Sequence, residues 1–189
     1  MKLLKNPKVV IPGVLTLAAL AWLAFGYFAV HKIFIDDKVN EAAPTFSVPN
    51  QTTAVTTIAA DDTAPPQVTV PVPTTVVSPP ILTEATGTFV SLDHDTSGTV
   101  SVLGDGSGQR FLRIEDLNTS NGPDLNVYLV NSSTGDVSDF VDLGDLKGNI
   151  GDQNYEIPVG TDLSVYDKVL IWCVRFSSPF GEAALSAIP

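Results

Sequence analysis

Two hydrophobic patterns divide the chain. From Val9 to Val30, 22 consecutive residues carry no charge, and valine, isoleucine, leucine, alanine, phenylalanine and tryptophan dominate. As an α-helix they would span about 33 Å, close to a bilayer core of about 30 Å. The run predicts one transmembrane helix over residues 9–30, with Pro12 and Gly13 near its first end, where a kink is tolerated. A cleaved secretory signal is the competing reading, and Ala18, Ala19, Ala21 and Ala24 supply the small residues it would need.

From about residue 82 the pattern becomes short apolar alternations punctuated by glycine, aspartate and asparagine. Strands are predicted over residues 86–92, 99–103, 109–115 and 125–131, with turns over 93–98 and 104–108 and a polar loop over 118–124. Leu112 and Ile114 should share one face, and so should Leu125, Val127 and Leu129. Residues 141–151 are glycine-rich and read as loop with brief strand, and residues 155–157 as a short strand. Asp162 caps one turn through Tyr166. Residues 169–176 are apolar on both faces and should form a central strand covered on both sides. Residues 183–188 close the sheet. The expected fold is all-β: a single β-sandwich or partly open barrel of short, mainly antiparallel strands over residues 82–189, preceded by one transmembrane helix.

Between the two patterns, residues 31–81 read as a Pro/Thr-rich linker outside the cytosol. Eight prolines fall in residues 36–81 and nine threonines between Thr45 and Thr75. Proline removes ladder donors, so an extended stalk is expected, with a span of roughly 40 Å as flexible coil and up to roughly 140 Å if polyproline-like. Docking of residues 68–77 as an edge strand is the alternative.

Charge sets orientation and narrows the partners. Lys2, Lys5 and Lys8 precede the apolar run, and Lys32 and Lys38 follow it. Residues 1–8 are therefore expected in the cytosol and the body outside, as in a single-pass signal anchor displayed at the cell surface. The formal net charge is −11. An acidic body repels phosphate backbones, so nucleic acid is not an expected partner; membrane lipid is, through residues 9–30.

Candidate chemistry is sparse. Cys173 is the only cysteine. It can form no internal disulfide, and it reads as a small buried hydrophobe, as a protected thiol that ligates a metal or haem or undergoes redox exchange, or as one half of an intermolecular disulfide. Arg175 falls on its nominal face, whereas Trp172 points the other way with Leu170 and Val174, for core packing or for stacking a ligand. His94, flanked by Asp93 and Asp95, supplies only a fragment of a metal site even if Asp105 or Asp124 converges on it, so no metal is expected. Asn121-Gly-Pro-Asp124 reads as a rigid turn, and Gln153-Asn-Tyr155 as local hydrogen bonding to backbone. The sequons at Asn50, Asn118 and Asn131 matter only in a glycosylating host. No residue pattern names a cofactor, a Ser-His-Asp relay, a carboxylate pair or a phosphate loop.

Five segments together resemble the DM-thirteen domain family, the electron-transfer module of Skeletor-type proteins. They are Gly87-Thr-Phe89 with Gly98-Thr-Val100; Thr119-Ser-Asn-Gly-Pro-Asp-Leu-Asn-Val-Tyr-Leu129; Leu143-Gly-Asp-Leu-Lys-Gly148; Gly151-Asp-Gln-Asn-Tyr-Glu-Ile-Pro158; and Val169-Leu-Ile-Trp-Cys173 followed by Phe176. The resemblance covers residues 83–188. It implies a β-sandwich related in style to ligand- and haem-binding sandwiches, with Cys173 as the redox residue. Some relatives carry a further catecholamine-binding-type or oxygenase domain. None accompanies the domain here, so a separate redox protein or envelope component is the implied partner. The expected function is a membrane-anchored redox or electron-transfer domain centred on Cys173. The alternative is a non-catalytic ligand-binding or envelope-interaction module.

Overall fold

The computed structural model describes residues 7–27, 35–46, 80–134 and 137–188. Helix α1 spans Pro7–Trp22 and passes into a π-helical turn, Leu23–Tyr27. Pro12 lies inside α1, and the Thr16 hydroxyl donates to the Pro12 carbonyl at 2.8 Å. The expected transmembrane helix over residues 9–30 is not found in that form. The α-helix has 16 residues, about 24 Å of rise, which is short of a bilayer core. Among the described residues no helix is long and apolar enough to cross a membrane. The α-helical register ends at Trp22, a few residues ahead of Gly26, a residue type with poor helix preference. Residues 28–30 of the expected span lie outside the described residues.

Among the described residues eleven strands build two sheets: β1 (Lys38–Asn40), β2 (Leu82–Thr88), β3 (Val90–Ser91), β4 (Ser97–Gly104), β5 (Arg110–Asn118), β6 (Leu125–Val130), β7 (Phe140–Asp145), β8 (Ile150–Ile157), β9 (Lys168–Cys173), β10 (Ser178–Ala184) and β11 (Ser186–Ala187). One sheet has the order β1-β8-β5-β4-β2-β11 and the other β3-β10-β9-β6-β7. All neighbours pair antiparallel except β1 with β8. Val100, Leu112, Ile114 and Tyr155 of the first sheet share one core with Leu125, Val127, Leu129 and Ile171 of the second. The fold is therefore a sandwich of two separate sheets, not a barrel.

The expected strand over residues 86–92 is two strands. Phe89 is buried between them, its N–H donating to the Gly98 carbonyl, and the chain crosses there from the first sheet to the second. Residues 141–151, expected to be mostly loop, hold β7 and the start of β8. The expected strand over residues 169–176 ends at Cys173, where residues 174–177 turn. It is the middle strand of its sheet.

The start of the expected linker belongs to the domain. β1 pairs parallel with β8, Lys38 with Ile150 and Asn40 with Asp152. Phe46 is buried against Phe111, ring centroids 5.4 Å apart, edge to face. Gly151 explains how β1 comes so close. Its φ is +104°, and a Cβ there would run into the Val39 carbonyl. Glycine accepts that backbone and leaves the space open. The chain re-enters at β2, whose Leu82 pairs with Gly104, and Gly104 pairs with Arg110, the neighbour of Phe111. Phe46 and β2, the described parts on either side of residues 47–79, thus sit at one end of the same sheet. Those residues, including the alternative edge strand at 68–77, lie outside the described residues.

Candidate functional site

Alternation along β9 turns Val169, Ile171 and Cys173 toward the opposing sheet, each with 0% exposure. Leu170 and Trp172 point to the other side. Cys173 is the last residue of the strand, opposite Leu125 of β6 and Ser178 of β10. It is a free thiol in an apolar core. The turn after it breaks the alternation expected to bring Arg175 onto the same face. Val174 N–H donates to the Asp124 carbonyl, and the Arg175 guanidinium lies 3.9 Å from the Asp124 carboxylate.

A surface pocket of about 360 Å³ opens at this end of the sandwich, lined among others by His94, Asn121, Gly122, Phe176, Ser178 and Phe180. Phe180 is the extra residue of a β-bulge, because Pro179 pairs with Trp172 and Gly181 with Ile171. The bulge turns its ring inward, where it is buried. His94 stacks on that ring at 3.8 Å between centroids and 24° between planes. The turn carrying His94 is held by Leu92 N–H to the Phe180 carbonyl, by Asp93 N–H to the Pro179 carbonyl, and by the Ser178 hydroxyl donating to the Asp93 carboxylate at 2.8 Å. Buried Thr96 braces it: its hydroxyl lies 2.8 Å from that of Thr119 and 3.1 Å from each of the His94 and Phe180 carbonyls. Gly122 lets the 119–124 loop close against the ring, since a Cβ there would sit 3.2 Å from Phe180 Cζ and 2.9 Å from Leu125 Cδ2. Cys173 therefore lies one cross-strand neighbour, Ser178, from the pocket lining.

The acids near His94 do not gather around it. The Asp105 carboxylate accepts from the N–H and the hydroxyl of Ser107, which hold it below the ordinary value for its type. Asp124 faces Arg175. Among the described residues no group of three or more histidine, cysteine or acidic side chains could hold a metal ion. The Gln153 and Tyr155 cluster is structural. The Tyr155 hydroxyl donates to Gln153 Oε1 at 2.7 Å, Lys147 N–H donates to the same oxygen, and Gln153 Nε2 donates to the Gly148 carbonyl. Every polar atom of that buried amide is engaged, as low dielectric requires.

A second concavity, about 390 Å³, lies on the outer face of the same sheet. Leu170, Trp172, Val130 and Pro179 form its apolar floor, and the Lys168–Glu182 ion pair, 2.9 Å, stands at its edge. Beside it Tyr128 stacks on Phe140 at 4.3 Å. The signal for this groove was the two-sided apolarity of residues 169–174. The His94–Phe180 pocket had no such signal, because a bulge created it.

A family model described as "Electron transfer DM13" matches residues 88–185. No curated protein and no solved structure matches the chain.

Proposed function

The chain belongs to the electron transfer DM13 family, and on that premise we propose that it is a membrane-anchored electron-transfer domain working outside the cytosol with Cys173 as its redox atom. The observation that carries the reading is the place of that thiol: in the core, one cross-strand neighbour from the His94–Phe180 pocket. The anchor would be the uncharged run from Val9 to Val30, whose described apolar side chains, such as Leu17 and Trp22, have no protein packed over them. A lone cysteine constrains the chemistry. Exchange with a disulfide stops at a mixed disulfide: the Cys173 thiolate attacks one partner sulfur and the other leaves as thiolate. The electron donor or acceptor is therefore a separate protein that brings its own sulfur or cofactor to the pocket.

Voltammetry of the full chain in detergent micelles tests this. A redox wave should appear and vanish in Cys173→Ala, with circular dichroism unchanged. A wave that survives the substitution removes Cys173 from the mechanism. Absence of any wave, with or without an electron-transfer mediator, sinks the reading.

One observation favours a second reading, a non-catalytic binding module. Cys173 has no exposed surface, whereas the Trp172 groove on the opposite face is open. On that reading Trp172→Ala abolishes ligand or partner capture and Cys173→Ala does not.

A further inference from the structure

Residues 35–46 are fastened to the domain far more tightly than a spacer needs. Asn121 Nδ2 donates to the Ile35 carbonyl at 2.6 Å. Buried Asn149 accepts from Asp37 N–H at 2.7 Å and donates to the Asp36 carboxylate at 2.9 Å. Arg113, itself buried, donates to the Glu41 carbonyl at 3.0 Å. The Glu41 carboxylate accepts from Lys147 Nζ and Asn154 N–H, both at 2.8 Å, and Glu41 N–H donates to the Asp152 carbonyl. The Phe46 ring against Phe111 closes the segment. Gly151 is shaped to admit it. These contacts join residues at least 65 positions apart in the chain, so no local pattern produces them.

We infer that the β8 edge, with Arg113, Lys147, Asn149 and Asn154, is a docking site for residues 35–46, so that the N-terminal piece and the β body are held together by non-covalent contacts and not only by the Pro/Thr-rich segment. Phe46 and Pro80, which flank residues 47–79, then belong to one body, and the chain before Ile35 bounds that body's distance from the helix. Seven residues, 28–34, separate Tyr27 from Ile35. Their reach is at most about 28 Å, against the roughly 40–140 Å expected of a stalk. Cutting the chain anywhere in 47–79 removes the effective concentration that the covalent link supplies, but leaves every docking contact in place. The docking stands on its own; its meaning as a short membrane tether rests on the proposed anchor.

The full chain, tagged at Met1, is given a protease site between Ala60 and Asp61 and cut, and the N-terminal tag is captured at micromolar concentration in native buffer. The fragment beginning at Asp61 should remain on the tag. Co-expressing the same two pieces as separate chains gives a second route that needs no cutting, with the same expected result. Glu41→Pro removes the N–H donor and the carboxylate together without altering the larger piece, and should lower retention about tenfold or more. Separation of the two unsubstituted pieces by either route, or retention unaffected by Glu41→Pro, overturns the inference. Membrane fractionation of the uncut chain is scored independently: soluble protein whose pieces still co-elute leaves the docking intact and removes the anchor.

Discussion

Neighbouring residues of β9 pack into different surroundings. Ile171 and Cys173 are sealed against the opposing sheet, whereas Leu170 and Trp172, one peptide bond away, line a groove that opens outward. The side chains are all apolar, so hydropathy alone does not separate them. One side is apolar because it fills a closed core; the other is apolar because it floors a cavity. The chemistry follows the packing. A thiol on the closed side is reached only when the structure opens, and an indole on the open side is available to a visitor.

The largest effect that tests this contrast is on stability. Ile171→Ala should cost about 2–5 kcal/mol, because the sealed core cannot collapse fully onto the space left behind. Leu170→Ala should cost less, because Leu170, though buried, belongs to the smaller cluster with Tyr128 and Val130 that floors the groove. Urea unfolding of the two variants measures both. Equal losses would mean that the outer groove is as closed as the core.

The next effect is kinetic. With no exposed surface, Cys173 reacts with a thiol reagent only when the structure opens. If that opening is global, each 1.4 kcal/mol lost through Ile171→Ala speeds labelling about tenfold, and Trp172→Ala changes it only by its own effect on stability. If labelling instead accelerates in Phe176→Ala while global stability stays constant, the thiol is reached by local opening of the His94–Phe180 pocket. That outcome would tie the thiol to the pocket and weaken the picture of a sealed face.

Where residues pack against their chain neighbours' alternating pattern, the fold was legible. Val100 with Val102, Leu112 with Ile114, and Leu125 with Val127 and Leu129 all reach the core as their period-two spacing requires. It was illegible where a distant partner decides. Asp36, Asp37 and Lys38 look like a solvated linker, because the Asn149 and β8 edge that bind them lie more than 100 residues later. Gly148 and Gly151 read as loop signals, yet they admit the backbone of residues 37–39 beside β8. Among site residues, alternation puts Cys173 and Trp172 on opposite faces, but two-sided apolarity reads as cover on both sides, and the Trp172 face opens to a groove. The stacking of His94 on Phe180 did not follow from alternation, since a one-residue bulge leaves no mark in hydropathy.

The smallest effect contrasts one tyrosine from each sheet. Tyr155 lies in the core between the sheets, and Tyr128 packs on Phe140 on the outer side. Burial raises the Tyr155 hydroxyl far above its ordinary value of about 10, and Glu41 and Asp145 push the same way against the stabilising hydrogen bond from Lys147. Burial also raises Tyr128, helped by Asp142 and Asp124, though less far. A raised folded-state value means that the unfolded chain gives up its phenolic proton first. Below about pH 10 both states are protonated and neither tyrosine makes stability depend on pH. Above it the unfolded state binds fewer protons, so stability falls as pH rises, by at most about 1.4 kcal/mol per pH unit for each proton. Tyr155→Phe should lower stability at neutral pH by about 1 kcal/mol through loss of the bond to Gln153, and should flatten the alkaline slope. Tyr128→Phe should change the slope less and over a narrower range. Urea unfolding from pH 8 to 11 measures both slopes, and a steeper dependence on Tyr128 would reverse the assignment of closed and open sides.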